Sequence, residues 1–337
     1  ELEFAEHQRK QSPLSVENRK FLKMVSEGIV QKPDKHYEIP LPLRDEAMEI
    51  PNNKNFVMKR TMQLGKRLRK NSVFCNDYVS FMSDILNCYA EEVPESEIDV
   101  QNGKVNYLIH MGVYHPRKPD KIRIVFDASA SYAGVCLNDY LLGGPNFLTK
   151  MLAILCRMRK FDYALSADIK SMFFQFLVCP KHRDLLRFLW WENNDIEHGK
   201  LKVFRLKIHL FGAKSSPSVC NFGLKRAADD GESEFGTAAA NWIRDEFYMD
   251  DGIVSMDNED ELLALAKNGQ ALCANFGMKL CKFVSNSRKV IENIEPSDRA
   301  TDLTELDLKL DPLPSVRTLG IVWCVQNDSL QFKIQLK

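Results

Sequence analysis

Residues 244–255 read Arg-Asp-Glu-Phe-Tyr-Met-Asp-Asp-Gly-Ile-Val-Ser, so two adjacent carboxylates lie between apolar and aromatic residues. The flanks alternate as strands do and Asp-Asp-Gly is typical of a turn, which predicts a β-hairpin with Asp250 and Asp251 at its tip. Neighbouring carboxylates repel each other, and their hard oxygen atoms suit Mg²⁺. Paired metal ions of this kind commonly serve phosphoryl transfer. A solvated acidic turn is the alternative, because short motifs often match by chance.

A third acid, Asp168, lies in residues 163–176, which begin as an apolar strand and turn into a short helix. We expect Asp168 at the end of the strand, where α/β folds place ligands and metals. Its alternative role is to cap the helix that follows, which aspartate does well.

Composition narrows the class of protein. The chain has 337 residues, 45% of them apolar, and a net charge of zero, so any nucleic-acid surface must be local. Nine cysteines without a Cys-x-x-Cys pair indicate free thiols in a reducing compartment and argue against a zinc site. No apolar run is long enough to span a membrane, and no signal peptide is present. Because the chain begins at Glu1, we expect it to be a piece of a longer polypeptide.

Two segments concentrate positive charge. Residues 54–70 predict a helix with seven cations and no acid, which indicates either phosphate contact or a merely solvated face. Residues 114–129 predict a basic hairpin whose cations could bind a triphosphate, or could protect an exposed strand edge. The helix cations are Lys54, Lys59, Arg60, Lys66, Arg67, Arg69 and Lys70, and those of the hairpin are Arg117, Lys118, Lys121 and Arg123.

Three other segments carry expectations about packing. Residues 1–50 are polar and broken by prolines, which predicts a leader or inter-domain segment along the surface. Residues 146–160 predict a helix with an apolar stripe in the core. Small residues at 212–218 precede another helix and would let a nucleobase or phosphate approach backbone N–H groups. The stripe of the helix at 146–160 consists of Leu148, Met151, Leu152, Leu155 and Met158.

Several segments, in this order along the chain, resemble the reverse-transcriptase domain of long-terminal-repeat retroelements, most closely the BEL/Pao group. The resemblance covers about residues 15–337. The matching segments are Arg-Ile-Val-Phe-Asp-Ala-Ser at 123–129, Leu-Asn-Asp at 137–139, Ala-Asp-Ile-Lys-Ser-Met-Phe at 167–173, Arg-Phe-Leu-Trp-Trp at 187–191, Tyr-Met-Asp-Asp at 248–251, Ser-Asn-Ser at 285–287 and Leu-Gly-Ile-Val-Trp at 319–323.

The resemblance implies an α+β fold of the right-hand polymerase type, with fingers and palm, an antiparallel palm sheet backed by helices, and a thumb that is largely absent. It divides the chain into a leader (1–50), fingers (51–138 and 176–215), palm (139–175 and 216–325) and the start of a truncated thumb or connection (326–337). Residues 216–325 would hold the metal-binding hairpin, and residues 319–323 would form the primer grip.

The resemblance also implies roles for individual residues. Asp168, Asp250 and Asp251 would be catalytic and would hold two Mg²⁺ ions, with Mn²⁺ as a substitute. The deoxynucleotide triphosphate (dNTP) would contact Lys118, Arg123, Phe173, Phe211, Gly212 and Lys282, with Phe173 as the gate that excludes a ribose 2′-hydroxyl and Lys282 as a general acid toward pyrophosphate. Phe211 stands where many retroviral enzymes have Gln. Nucleic-acid contacts would come from Lys59, Arg60, Arg67, Tyr248 and Met249.

The implied function is RNA-directed DNA polymerase activity, which transfers nucleotides from dNTPs to a primer 3′-hydroxyl on an RNA or DNA template. Implied partners are the template–primer, dNTPs, and the protease, ribonuclease H and integrase of the same polyprotein, with no membrane. The implied location is the cytoplasm, in a virus-like particle, or the nucleus. The alternative is a catalytically silent, retroelement-derived protein that binds nucleic acid.

Overall fold

The computed structural model of the chain describes residues 14–100, 102–115, 118–304, 306–308 and 310–331. Helices and sheets alternate along this part, so the mixed helix-and-sheet class is confirmed. The α-helices are α1 (Val16–Gly28), α2 (Lys54–Lys70), α3 (Ser72–Asp84), α4 (Glu95–Ile98), α5 (Leu137–Tyr140), α6 (Met151–Met158), α7 (Ser216–Phe235), α8 (Thr237–Asp245), α9 (Glu259–Asn275), α10 (Arg288–Glu292) and α11 (Thr301–Thr304).

The strands form several small sheets. They are β1 (Val30–Gln31), β2 (Tyr37–Ile39), β3 (Ala90–Glu92), β4 (Ile109–His115), β5 (Lys118–Asp127), β6 (Tyr163–Ile169), β7 (Leu177–Val178), β8 (Arg187–Trp191), β9 (Leu201–Leu206), β10 (Phe247–Tyr248), β11 (Asp251–Met256), β12 (Leu280–Ser285), β13 (Ser315–Thr318), β14 (Ile321–Cys324) and β15 (Ser329–Gln331).

A four-stranded antiparallel sheet lies at the centre of the larger hydrophobic core, in the order β10-β11-β6-β12. Its middle strand, β6, is almost wholly buried, as its apolar sequence requires. Helices α6, α8 and α9 pack on this sheet, and α7 packs on α8 and α9. The strands that carry Asp168 and Asp251 are therefore covered by helices.

The β10–β11 hairpin depends on a glycine. Phe247 and Gly252 are cross-strand partners, and a Cβ atom on Gly252 would come within 2.2 Å of the Phe247 ring. Only a residue without a side chain lets the ring cover the strand at this position.

The second hydrophobic core lies among α2, α3, the β4–β5 hairpin and the β3-β9-β8 sheet. Helix α2 has the predicted bounds, and its Gly65 lies against Trp191, where a Cβ atom would approach the indole to 2.6 Å. Helix α3 begins at Ser72, because Asn71 caps it with its side chain. The residues of the expected turn at 116–117 lie outside the described part.

Residues 30–43, which we call the N-terminal strap, correct the expectation of a surface leader. Strand β2 of the strap pairs in parallel with β7. Tyr37 and Ile39 are buried in the larger core, whereas Leu41 and Leu43 are buried in the second core. The strap thus joins the two cores, because its residues 39–43, Ile-Pro-Leu-Pro-Leu, are all apolar and buried. Residues 1–13 lie outside the described part.

The expected helix at 146–160 is confirmed only in part. Helix α6 covers only Met151–Met158, and its Leu152 is 72% exposed, contrary to the expected stripe. Met158 is buried and Leu155 packs against the core, as expected, and the other buried position of the helix is Ile154, one turn before Met158. Strands β13, β14 and β15 form a separate antiparallel sheet, which is described through Gln331.

Two observations bear on the environment of the chain. Among the described residues, no helix is both long and apolar enough to cross a membrane. The nine cysteines are free thiols, and Cys220, Cys273 and Cys281 are buried.

Leu41→Ala tests the role of the strap. We expect the variant to lose about 2–5 kcal/mol of unfolding free energy, because the leucine is fully buried between elements that cannot collapse onto the space it leaves. Urea unfolding followed by circular dichroism measures this loss. Val30→Ala is the matched control, since Val30 lies in the same strap and is 55% exposed. Equal, small effects of both substitutions would contradict an integral strap.

Candidate active site

The structure brings the three candidate acids together. Strand β6 pairs with β11 so that Asp168 lies directly opposite Asp251. The Asp250 carbonyl accepts a hydrogen bond of 2.9 Å from the Ile169 N–H, which ties the hairpin turn to the end of β6. Directly opposed residues of an antiparallel pair have Cα atoms about 4.5–5.5 Å apart. Three carboxylates from distant parts of the sequence therefore share one edge of the sheet.

The turn of the hairpin consists of Met249 and Asp250, and Met249 has a left-handed backbone with φ of 58°. The buried Asn221 side chain of α7 donates to the Met249 sulfur at 3.1 Å and to the Pro217 carbonyl at 2.9 Å. Tyr248 is the last residue of β10 and is partly buried. Helix α7 thus supports the turn from below through Asn221, a residue that sequence reasoning missed.

Lys282 neutralises Asp168. Its Nζ lies 2.8 Å from Asp168 Oδ1. The register of β12 shifts between Cys281 and Val284, and Lys282 has φ of 56° in this bulge. The bulge changes the direction of the side chain, as bulges do near functional sites. Asp168 is therefore an ion-pair partner and not the N-cap of the following 3₁₀-helix, where Ser171 occupies that position.

Burial and mutual repulsion act together on the acids. The pKa of the Asp251 carboxyl is raised to about 6, first by burial and then by the charges of Asp250 and Asp168. Burial is also the main cause that raises the pKa of Asp250. For Lys282, burial acts to lower the pKa, but the hydrogen bond and charge of Asp168 outweigh it, so the pKa is raised. Ionised carboxylates here cost free energy unless cations neutralise them.

The fit of this site to a divalent cation is only partial. The donor chemistry fits, since carboxylate oxygens with unfavourable mutual repulsion are suitable ligands for Mg²⁺ or Mn²⁺. In the part of the chain that the structure describes, however, no three or more His, Cys, Asp or Glu side chains converge as a metal-binding cluster. The backbone brings Asp168, Asp250 and Asp251 together, but their side chains do not converge on one point. The Asp168 carboxylate is instead paired with Lys282.

Two aromatic side chains form a corner beyond the acids. Phe173, five residues after Asp168, contacts Phe211 edge to face with ring centroids 5.8 Å apart. Phe211 is 66% exposed, although it is large and apolar. Gly212 beside it has φ of 107°, which favours glycine, and a Cβ atom there would lie 3.3 Å from the Phe126 carbonyl. The corner therefore presents an exposed ring next to open backbone.

Asn138 holds this loop in place. Its Nδ2 donates to the Gly212 carbonyl at 3.0 Å and to Ser129 Oγ at 2.8 Å, and its Oδ1 accepts from the Lys214 N–H at 2.7 Å. Sequence reasoning noted the Leu-Asn-Asp segment but gave Asn138 no role. An amide that bridges two loops leaves no local periodic signal, so nothing in the sequence pattern could reveal it.

The candidate cations lie on other elements. Arg123 is exposed on β5, opposite Val113, and Lys118 is the first residue of the same strand, although its side chain lies outside the described part. Lys59, Arg60 and Arg67 are on α2, which packs on α3, β4 and β8. The Arg67 guanidinium lies 4.3 Å from the centre of the Phe74 ring, so much of that side chain is engaged in packing. None of these residues forms an ion pair with the three acids within the described chain.

Comparison with known proteins gives limited likeness. No family model and no curated protein matches the chain. Among solved structures, the foamy viral protease-reverse transcriptase in complex with RNA/DNA hybrid is 15% identical, with a TM-score of 0.45 over 75% of this chain and 26% of that one. Its complex with double-stranded DNA is 16% identical, with a TM-score of 0.43 over 75% and 40%. The chain thus spans less than half of those proteins, and likeness of this degree does not assign a family.

Asp251→Asn tests the electrostatic cost of the site. The pKa of Asp251 is about 6 in the folded chain, above its ordinary value of about 3.9, so the folded state holds the proton more tightly and loses stability when the group ionises. We expect the unfolding free energy of the variant to exceed that of the wild type by about 1–3 kcal/mol at pH 8 in EDTA. Below about pH 4 we expect no difference between the two unfolding free energies.

Urea unfolding at the two pH values measures the difference. Asp257→Asn is the control, since Asp257 is an exposed acid just beyond the other end of β11. If the Asp251 variant is no more stable than the wild type at pH 8, the ionised acids do not destabilise the folded state through mutual repulsion.

Proposed function

We propose that the chain is an RNA-directed DNA polymerase of a retroelement, of the BEL/Pao type. It would transfer nucleotides from dNTPs to a primer 3′-hydroxyl on an RNA or DNA template. The observation that carries the proposal is the cross-strand register of Asp168 with Asp251, next to Asp250. Three carboxylates with this much mutual repulsion are explained by a reaction that uses cations.

We also propose the finer architecture, a right hand with fingers and palm. In this assignment the β10-β11-β6-β12 sheet is the palm, and the second core with the β4–β5 hairpin belongs to the fingers. The turn at Leu319 and Gly320 between β13 and β14 would be the primer grip. The opposite turn of this small sheet, between β14 and β15, is held to the end of α6 by the ion pair of Asp328 with Arg159, and the Trp323 indole donates to the same carboxylate at 2.8 Å. The division at residues 50, 138, 175, 215 and 325 is part of the proposal.

The acids would act by holding two divalent cations, with Asp168, Asp250 and Asp251 as ligands. Such ions lower the pKa of the attacking hydroxyl and neutralise the charge of the departing pyrophosphate. In the chain itself, Lys282 keeps a proton on Nζ, because its pKa is raised. Lys282 would thus supply positive charge, and a proton for the pyrophosphate, beside Asp168.

The aromatic corner and the basic strand would form the dNTP site. Arg123 and Lys118 on β5 would bind the triphosphate, since guanidinium and ammonium groups pair with phosphate oxygens. Phe173 would exclude a ribose 2′-hydroxyl, supported by its edge-to-face contact with Phe211. Gly212 would let the nucleotide approach the backbone.

We further propose the partners and location. Lys59, Arg60, Arg67, Tyr248 and Met249 would contact the template–primer, and a protease, a ribonuclease H and an integrase would belong to the same polyprotein. The free cysteines favour a reducing compartment, either the cytoplasm in a virus-like particle or the nucleus.

A second function has one observation in its favour. The ion pair of Lys282 with Asp168, together with the lack of a converged ligand cluster among the described residues, also suits a retroelement-derived protein that binds nucleic acid without catalysis.

Asp250→Asn tests the proposed function. With a primer–template, one dNTP and Mg²⁺, we expect the rate of first-nucleotide addition to fall at least about a thousandfold, because charge stabilisation worth several kcal/mol is lost. Rapid-quench measurement of primer extension gives this rate, and adding only one nucleotide avoids any need for processive synthesis.

Asp257→Asn serves as the matched control and is expected to leave the rate unchanged. Salt-dependent binding of the primer–template by the wild type without any extension would replace the proposed function by its silent alternative. Extension that survives Asp250→Asn would remove the assignment of the acids.

Phe173→Val tests the sugar gate. We expect the ratio of ribonucleotide to deoxynucleotide kcat/KM to rise by about ten- to a hundredfold, because the smaller side chain leaves room for the 2′-hydroxyl. Single-turnover incorporation of each nucleotide measures the ratio. Phe235→Val, at the half-buried end of α7, is expected to leave it unchanged. An unchanged ratio in the Phe173 variant would make Phe173 a packing residue.

A further inference from the structure

An aromatic and cationic cluster lies where helix α2 meets the loop that follows β5. The ring of Tyr132 contacts that of Phe56 with centroids 5.6 Å apart and planes inclined by 30°. The Arg60 guanidinium lies over the same Phe56 ring at 5.6 Å. We call Phe56, Arg60 and Tyr132 the stacking cluster.

A tight turn presents Tyr132. Ala133 and Gly134 have φ of 52° and 83°, and Tyr132 and Val135 exchange both backbone hydrogen bonds across them. Two left-handed residues between such partners form the tightest hairpin turn, which fixes the direction of the flanking side chains. Tyr132 is nevertheless 37% exposed, whereas Phe56 is anchored beside the buried cluster of Val57 and Tyr107. The turn therefore holds one aromatic ring partly open to solvent.

The charge around the cluster is unbalanced. Of the seven cations on α2, Lys54 pairs with Asp99 at 3.1 Å, and no other forms an ion pair within the described chain. Arg60 donates only to the neutral Gln63, at 3.3 Å. Lys59 and Arg60 are both exposed. A surface that combines an accessible ring with unneutralised cations is complementary to an anion that carries flat, apolar groups.

The loop that carries Tyr132 starts beside the candidate active site. Its Ser129 Oγ accepts from Asn138, and the same amide donates to the carbonyl of Gly212. Through Asn138, the loop that carries Tyr132 is therefore continuous with the loop assigned to the nucleotide. This continuity selects a nucleic-acid strand over an unrelated peptide or membrane partner.

We propose that the stacking cluster binds an unpaired base of a single-stranded nucleic acid, with Tyr132 against the base and Lys59 and Arg60 on the adjacent phosphates. Bases within a duplex are already stacked, whereas unpaired bases are free to stack on protein rings. The inference rests on the proposed function, because the strand in question is the template ahead of the primer terminus.

The test is equilibrium binding, measured by fluorescence anisotropy without Mg²⁺ or dNTP. One labelled primer–template is blunt and the other carries a four-nucleotide 5′ overhang, in RNA, DNA and abasic versions. We expect the RNA and DNA overhangs each to tighten binding by about tenfold and the abasic overhang to add little, since base stacking supplies the gain. A gain for RNA or DNA alone would identify which strand is the natural ligand.

Four variants make the result specific. Tyr132→Ala is expected to abolish the gain from the overhang, and Tyr132→Phe to retain it, because the ring alone stacks. Arg60→Gln is expected to reduce the slope of log affinity against log salt by about 0.7. Phe161→Ala is the control, since Phe161 also lies under a cation, Lys160, but beyond the opposite end of β6 from Asp168. It should leave the gain unchanged.

A gain that persists in Tyr132→Ala, or that is equal for abasic overhangs, overturns the proposal. Thermal unfolding identifies a Tyr132 variant that fails to fold. In that case the salt dependence of binding by Arg60→Gln decides, and an unchanged slope of log affinity against log salt counts against the stacking cluster. The outcome is independent of catalysis: an overhang gain without primer extension would support the cluster while refuting the polymerase assignment, and extension without the gain would do the reverse.

Discussion

The antiparallel register between β6 and β11 fixes the positions of the candidate-site acids relative to one another. Because side chains alternate across a strand, a slip of one residue would send Asp168 to the opposite face from Asp251. Several features hold this register at once. Phe247 covers Gly252 in the neighbouring hairpin, the Asp250 carbonyl binds the end of β6, and Asn221 supports the turn from α7. The three carboxylates therefore cannot reduce their mutual repulsion by a shift of one strand along the other.

Lys282 shows how the chain compensates for that repulsion on its own. A strand residue at this position would ordinarily follow the pleat, but the bulge in β12 changes its direction and places the ammonium against Asp168. The same position has a left-handed backbone, which is uncommon for a residue with a side chain. One lysine balances one of three negative charges, and burial, together with the remaining repulsion, keeps the pKa values of Asp250 and Asp251 above the ordinary range.

Local chemistry could be predicted from the sequence, whereas contacts between distant segments could not. The hairpin that carries Asp250 and Asp251 and the bounds of α2 follow from short-range rules and are found, although the turn lies at Met249 and Asp250 and not at the two acids. The meeting of Asp168 with the hairpin was a hypothesis that needed the fold. The burial of the strap and the exposure of Leu152 were predicted wrongly, because the polarity of a segment does not reveal which partner covers it. Asn138 and Asn221 act through single bonds to remote loops, which no periodic pattern encodes.

The position of the strap at the beginning of the chain has a consequence for biosynthesis. Gln31 donates to the carbonyl of Asn275, 244 residues further along, and Tyr37 stacks on Phe276. The ribosome therefore releases the strap long before its partners exist, and contacts between such distant residues form late because closing a long loop is entropically costly. Until Phe276 at the end of α9 emerges, the Tyr37 ring has no stacking partner, so over that interval the nascent chain carries an uncovered aromatic side chain of the kind that chaperones bind.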